Sequence, residues 1–149
     1  AALAGLATVQ GGRLLGLSKK TEYVSVTADL FGKTVTLRAL VDTGNLLREP
    51  ISGRSVIVAD RARILEALPK SLSQALQSPY AEKWLADERY ATHIRLVPTS
   101  TATGKQMLPA ILPERLTLTA GKETYPADYL IAPAPMEENA DFDAIIAMN

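Results

Sequence analysis

The residues best suited to chemistry in this chain are Asp42, Thr43 and Gly44, which directly follow an apolar segment. Apolar residues alternate before them, and this period of two predicts a strand with one buried face: Val35, Leu37, Ala39 and Val41. A carboxylate held at the end of such a strand, on a turn that glycine allows, can act as a general acid or base. The tripeptide occurs once in 149 residues. A site that needs two such carboxylates would therefore need two chains.

Composition removes several other classes of site. The chain has no cysteine, which excludes disulfides, thiolate nucleophiles and cysteine-ligated zinc. His93 is the one histidine, so multi-histidine metal sites are excluded and a serine–histidine triad is disfavoured. We interpret His93 as a solvated or strand-edge residue. The formal net charge is zero, without a basic stripe, and this argues against a nucleic-acid partner.

The first half of the chain is predicted to pair two strands and then form short helices. Period-two alternation from Tyr23 to Leu30 gives a strand, and Phe31-Gly32-Lys33 gives the turn into the strand that ends at Val41. Residues 45–54 are predicted to be a loop, and residues 56–59 a short buried strand. Asp60 is expected to cap a helix that ends before Pro69. Further helices are expected over 71–77, capped by Ser71, and over 79–89, with Trp84 and Leu85 packing inward.

The second half is predicted to be rich in strands. Residues 93–98 and 106–112 are extended, and between them lies a small-residue tip made of Thr101, Ala102, Thr103 and Gly104. Such a hairpin has the form of a flap that covers a substrate, although an ordinary surface hairpin has the same pattern. Strands over 116–118 and 124–125 flank a turn at Gly121, and residues 129–132 form another strand.

The chain is therefore predicted to be one mainly β, closed-barrel-like domain with a few short helices, over residues 21–149. Residues 1–20 are small and glycine-containing, and we interpret them as a flexible lead-in. A membrane-spanning helix needs a run of about 18 apolar residues, and no run in this chain is that long. The chain starts without methionine and finishes on an apolar, strand-like stretch, so we interpret it as part of something longer.

Residues 39–58 resemble the family of sporulation sigma-E factor-processing peptidases. In that family Asp-Thr-Gly-Asn is followed by leucine, then proline, then a short apolar strand, as in Asp42 to Val58 here. Residues 95–104 and 108–114 look like the family's second block. Thr99 and Thr103 replace an aromatic residue and a glycine of the family, and Ser55 replaces a frequent proline. Residues 131–135 and 143–147 are also similar to the last strands of retroviral proteases, which continue into a helix that is missing here.

The resemblance implies a retropepsin-like aspartic endopeptidase that is active as a homodimer and needs no cofactor or metal. Asp42 would be catalytic, Thr43, Gly44 and Asn45 would support its turn, and Thr101 to Gly104 would form the substrate flap. The family implies a sigma factor precursor as the substrate, and a signalling protein made in the forespore as the activator. It also implies a preceding membrane portion at the sporulation septum, with this domain in the mother-cell cytoplasm.

Two other interpretations of the Asp-Thr-Gly turn remain open at this point. A retropepsin-like domain that no longer cuts, and serves for dimerisation or peptide binding, would keep the same residues. In a purely structural barrel Asp42 would hydrogen-bond its own turn. The remaining acidic residues look less catalytic: Asp60 as a helix cap, Asp128 as a loop residue, and a solvated cluster formed by Glu137, Glu138, Asp141 and Asp143.

Overall fold

A computed structural model describes residues 21–45 and 47–148 of the chain. The predicted lead-in, residues 1–20, lies outside these described ranges. The strands of the described part are β1 (Tyr23–Leu30), β2 (Lys33–Val41), β3 (Ser55–Asp60), β4 (Ile94–Thr101), β5 (Gly104–Ile111), β6 (Arg115–Ala120), β7 (Glu123–Pro126), β8 (Tyr129–Ala134) and β9 (Ala144–Ile146). Its helices are α1 (Arg61–Ala67), α2 (Lys70–Leu76), α3 (Ala81–Trp84) and α4 (Glu88–Ala91).

The first two strands form the predicted hairpin. They pair antiparallel from Tyr23 opposite Leu40 to Leu30 opposite Lys33. The two turn residues, Phe31 and Gly32, both have positive φ, at 50° and 89°. Positive φ at both central positions is the mark of a type I′ turn, whose twist matches that of the flanking strands. The alternating apolar residues of both strands then lie on the buried face, as their period predicts.

The strands of the described residues form one sheet in the order β4-β5-β8-β3-β9-β2-β1-β6-β7. The short strand β9 lies between β2, to which it is parallel, and β3, to which it is antiparallel. Strand β8 is parallel to β3. The prediction of a mainly β lobe with a few short helices is confirmed. The expected barrel is not closed by hydrogen bonds, because β4 and β7 remain as the two ends of the ladder.

The helices between β3 and β4 begin and end at residues that differ partly from the prediction. Helix α1 has Asp60 as its N-cap, as expected, whereas α2 begins at Lys70 after Pro69, before the expected cap at Ser71. The single helix expected over 79–89 is instead two short ones, because the Asp87 side chain accepts the Arg89 N–H and starts α4 anew. Trp84 is buried as predicted, but Leu85 follows the end of α3 and is exposed.

The buried apolar residues form two clusters: a larger one that includes the helices and the first hairpin, and a smaller one formed by Val56, Val97, Ala110, Leu130 and Ala132. Ile64 of α1 and Leu72 of α2 are buried and belong to the same cluster as residues of the first hairpin and of β3. Burying an aliphatic side chain of this size contributes about 1.5–3 kcal/mol of stability. The indole N–H of Trp84 donates to the Ser78 carbonyl at 2.8 Å, so the buried ring leaves no polar group unpaired. The helices therefore cover and support part of the sheet.

Candidate active site

Asp42 lies directly after β2, at the point where β9 runs alongside that strand. Its backbone N–H donates to the Ile146 carbonyl at 2.8 Å, which extends the parallel β2–β9 pairing by one step. The residue is fully buried. One carboxylate oxygen, Oδ1, accepts the Gly44 N–H at 2.9 Å. The carboxylate is therefore held in a fixed orientation by the backbone of its own turn.

The three residues after Asp42 differ in exposure and in contacts. The Asn45 N–H donates to the Asp42 carbonyl at 3.1 Å and closes a four-residue turn. Thr43, at the outside of this turn, is exposed. The Asn45 side chain is buried: its Nδ2 donates to the Val56 carbonyl at 3.2 Å, and its Oδ1 accepts the Leu47 N–H at 3.3 Å. Asn45 thus joins the turn to the start of β3.

Residues 47–56, the 47–56 arm, form a narrow hairpin between this turn and β3. The Val56 N–H donates to the Leu47 carbonyl at 3.0 Å, and Arg48 pairs with Ser55 in an antiparallel bridge. Arg48 also holds the tip, because its Nη1 donates to the Gly53 carbonyl at 3.1 Å. The sequence predicted only a loop here. It did not indicate the paired segments on either side of the tip.

Glu49 is the residue of the arm that the sequence analysis missed. It is 2% exposed, and its carboxylate accepts the Ile51 N–H at 2.6 Å and the Ser52 N–H at 2.9 Å. The Ser52 hydroxyl, and then these two N–H groups, hold the pKa of Glu49 below its usual range, against burial, which raises it. A local signal could have indicated that Glu49 stabilises the turn. Its side chain precedes by two and three residues the backbone N–H groups of a turn marked by proline and glycine.

Tyr129 supports the strand behind Asp42. Its hydroxyl donates to the Ala147 carbonyl at 2.8 Å, one residue beyond the Ile146 carbonyl that receives the Asp42 N–H. Burial raises the pKa of Tyr129, so the phenol stays protonated and can donate this bond. The sequence predicted a strand at this position but gave no sign of the contact, since the two residues are brought together by the fold.

The predicted flap residues lie at the tip of the β4–β5 hairpin. Thr101 pairs with Gly104, and Ala102 and Thr103 form the two-residue turn between them. The Thr101 hydroxyl donates to the Gly104 carbonyl at 2.9 Å, which closes the tip. Gly104 has a φ of 125°, a conformation that residues with a side chain rarely adopt. Ala102, Thr103 and Gly104 are exposed.

The other acidic residues have structural contacts. Asp60 caps α1 through the Arg63 N–H at 3.4 Å. Asp143 departs from the solvated cluster that was expected, because its Oδ2 accepts the Arg38 N–H at 3.0 Å and lies 3.4 Å from Arg63 Nη1. Asp128 forms an exposed ion pair with Arg54 at 2.8 Å. Within the described ranges, no group of three histidine or acidic side chains is arranged to hold a metal ion.

A mainly β lobe that buries one Asp-Thr-Gly carboxylate at the end of a strand is consistent with a single lobe of an aspartic-protease-like fold. The model of the Peptidase_U4 family, described as sporulation factor SpoIIGA, matches residues 15–149. The chain therefore belongs to this family.

A curated relative is the sporulation sigma-E factor-processing peptidase of Bacillus subtilis (strain 168). It is 29% identical over 133 residues, which cover 84% of this chain and 43% of the relative. The chain thus spans less than half the length of the protein that it matches. No solved structure matches the chain. In residues 21–45 and 47–148, none of the helices has the length and apolar character needed to cross a membrane.

Proposed function

We propose that this chain is the protease domain of a homodimeric aspartic endopeptidase that cleaves the pro-sequence of a sporulation sigma factor precursor. The observation that carries the proposal is the buried Asp42 carboxylate, fixed by the Gly44 N–H at 2.9 Å. Family membership and the name of the Bacillus subtilis relative support a peptidase that acts on a sigma factor. The chain carries one Asp-Thr-Gly, so a pair of such carboxylates requires a second copy.

In the dimer the two Asp42 carboxylates face each other across the two-fold axis. Two like charges a few ångströms apart in a poorly hydrated site share one proton, as in other aspartic proteases. The ionised member accepts a proton from a water molecule, and the oxygen of that water attacks the scissile carbonyl carbon. The protonated member donates a hydrogen bond to the carbonyl oxygen and later helps to protonate the leaving amine. The reaction needs no metal or organic cofactor.

The neighbouring residues have supporting roles in this proposal. Thr43 is exposed, so its hydroxyl is free to reach the backbone of the partner's turn. Gly44 orients the carboxylate, and Asn45 ties the turn to β3. The exposed tip formed by Thr101 to Gly104 folds over an extended peptide and pairs with its backbone.

We also propose the biological setting that the resemblance to the family implies. The full-length protein is held at the sporulation septum through a membrane portion outside this chain, with the protease domain in the mother-cell cytoplasm. A signalling protein from the forespore activates it. Tethering to a membrane raises the effective concentration of one protease domain near another, and this favours the dimer.

The direct test replaces Asp42 by asparagine in the full-length protein, expressed together with the sigma factor precursor. We expect cleavage to fall by at least about 10²-fold, the lower range for loss of a general acid or base. Asp141→Asn is the matched control, because Asp141 is exposed, and it should process the precursor normally. Undiminished cleavage by Asp42→Asn would reject the aspartic mechanism. If the wild type itself binds the precursor but does not cleave it, the domain is instead a non-cutting binding module.

A mixing experiment tests the requirement for two copies. Wild-type protein and Asp42→Asn are expressed together in equal amounts, and cleavage of the precursor is followed. If each site needs one carboxylate from each copy, an equal mixture leaves roughly a quarter of the dimers with two intact carboxylates. Activity that scales simply with the amount of wild-type protein would contradict a shared site.

A further inference from the structure

Strand β5 is paired along its whole length on one side and at a single position on the other. On the first side, all of its residues from Gly104 to Ile111 lie opposite residues of β4. On the second side lies β8, and in the described part of the chain the two strands are joined only where Ile111 lies opposite Ile131. The second edge of β5 is therefore open at residues 104–110.

The alternation of hydrogen bonds in an antiparallel pair identifies the backbone groups at this open edge. Leu112, just beyond β5, donates its N–H to the His93 carbonyl at 2.7 Å. Counting back from Leu112 in steps of two, the residues of β5 that bond to β4 are the even-numbered ones. Lys105, Met107 and Pro109 therefore direct their carbonyls away from β4. Lys105 and Met107 direct their N–H groups the same way.

Two prolines explain why β8 does not cover this edge. Two residues beyond Ile111 and Ile131, the antiparallel register would set Pro109 opposite Pro133. A hydrogen-bonded pair at that position exchanges two N–H···O bonds, and neither proline has an N–H to donate. Both prolines instead line a cavity of about 640 Å³, together with residues of β5 and of the helices. We call this cavity and the open edge beside it the β5 groove.

The β5 groove combines apolar side chains with one charged side chain. Strand β5 contributes residues 106–109 to the lining, and helices α1, α2 and α3 contribute Leu65, Leu76 and Trp84. Cavities that bind ligands typically have volumes of about 300–1,000 Å³, and this one falls within that range. Arg61, exposed at the start of α1, is the single charged residue among the described residues that line the cavity. A partner that carries a carboxylate would therefore complement its charge.

We propose that the β5 groove is a docking site for an extended segment of a partner protein, which adds a strand to the open edge of β5. The backbone of the segment bonds to Lys105 and Met107. An apolar side chain of the segment enters the cavity beside Trp84, and a carboxylate pairs with Arg61. Addition of a strand to a free sheet edge requires an extended partner, so the open N–H and carbonyl groups determine the shape of what binds. This docking function is separate from the proposed protease activity and does not depend on it.

A second copy of the chain is the main competing occupant. Its end strand β7 also has an open edge, on which Glu123 and Tyr125 are exposed. Strand β7 has four residues, however, whereas a stable contact between two folded chains buries about 1,200 Å² or more. A short segment of another protein matches the size of the groove better than a second folded copy does.

Binding of a defined peptide tests the docking site. The probe is a fluorescein-labelled peptide, threonine-leucine-glutamate-valine-threonine, and the protein is full-length Asp42→Asn, so that the proposed protease activity cannot consume the probe. Fluorescence anisotropy should show saturable binding with a Kd below about 1 mM. Adding Arg61→Glu should weaken binding about threefold or more, and a probe with lysine in place of glutamate should recover it. Arg115→Glu is the matched control, because Arg115 is exposed but does not line the cavity, and it should leave the Kd unchanged.

Two further measurements isolate the backbone contacts and the occupant. A probe methylated on its backbone nitrogens keeps its side chains but loses its donors, so it should bind about tenfold more weakly. Met107→p-benzoylphenylalanine, irradiated with the probe, should give an adduct with the probe. The proposal is overturned if no saturable binding is seen, if the methylated probe or Arg61→Glu leaves the Kd unchanged, or if the only adduct joins two copies of the chain.

Discussion

Replacing Glu49 by glutamine should destabilise the chain, although the side chains have nearly the same shape. The carboxylate accepts two backbone N–H groups, from Ile51 and Ser52, and hydrogen bonds to a charged group contribute about 1.5–3 kcal/mol each. Glutamine offers one oxygen and directs its NH₂ group at the second N–H, so one bond is lost. We therefore expect the free energy of unfolding to fall by about 2 kcal/mol, or the Tm by about 4–8 °C for a chain of this size.

The pH dependence of this effect has a definite sign. The folded protein holds the pKa of Glu49 below its usual value, first through Ser52, so the unfolded chain binds this proton more tightly. The stabilisation is complete above the unfolded value of about 4.3 and is lost as the pH falls through the lower folded pKa. The difference between wild type and Glu49→Gln should therefore be largest near neutral pH and should shrink in acid.

Urea unfolding of the two proteins at pH 7 and at several values below pH 4 provides the measurement. Glu66→Gln is the matched control, because it makes the same chemical change at an exposed position of α1. It should alter the free energy of unfolding by less than about 0.5 kcal/mol. If Glu49→Gln unfolds like the wild type at neutral pH, or if the difference grows in acid, the role assigned to the buried carboxylate is wrong.

Three further substitutions test other contacts of the site. Asn45→Ala leaves the Val56 carbonyl and the Leu47 N–H without their partner, so it should cost about 1–3 kcal/mol in urea unfolding and should lower precursor cleavage. Tyr129→Phe removes the hydrogen bond from the hydroxyl to the Ala147 carbonyl and should lower the free energy of unfolding by about 1 kcal/mol. An unchanged urea midpoint would show that this hydrogen bond does not stabilise the fold. Asp143→Asn keeps an acceptor for the Arg38 N–H and loses a half-exposed ion pair, so thermal melting should show less than about 1 kcal/mol of change.

The parts of the fold that the sequence predicted best are those with local causes. Alternation of apolar residues is enough to define β1 and β2, and Gly32 is enough to indicate the turn between them. The position of Asp42 at the end of a buried strand was predicted from the same alternation. Its contact with the Ile146 carbonyl was not, because the pairing of β2 with β9 joins segments about 100 residues apart and leaves no local pattern.

The errors in the helical region and in the 47–56 arm have a different cause, because there a side chain bonds to backbone N–H groups close by in the chain. The single helix expected over 79–89 has suitable residues throughout, but Asp87 competes for backbone N–H groups and starts a new helix. Glu49 was passed over because a charged residue in a loop is normally solvated. Only the folded arm, which closes around the carboxylate, makes it a buried structural group.

The position of β9 between β2 and β3 has a consequence for the order of events during synthesis. Asp42 leaves the ribosome about 100 residues before Ile146, an interval on the order of 5–20 seconds at ordinary elongation rates. The first hairpin can fold in that interval, but the backbone anchor of its carboxylate cannot yet exist. A nascent domain would therefore hold Asp42 at the end of its strand without this anchor until β9 has left the ribosome.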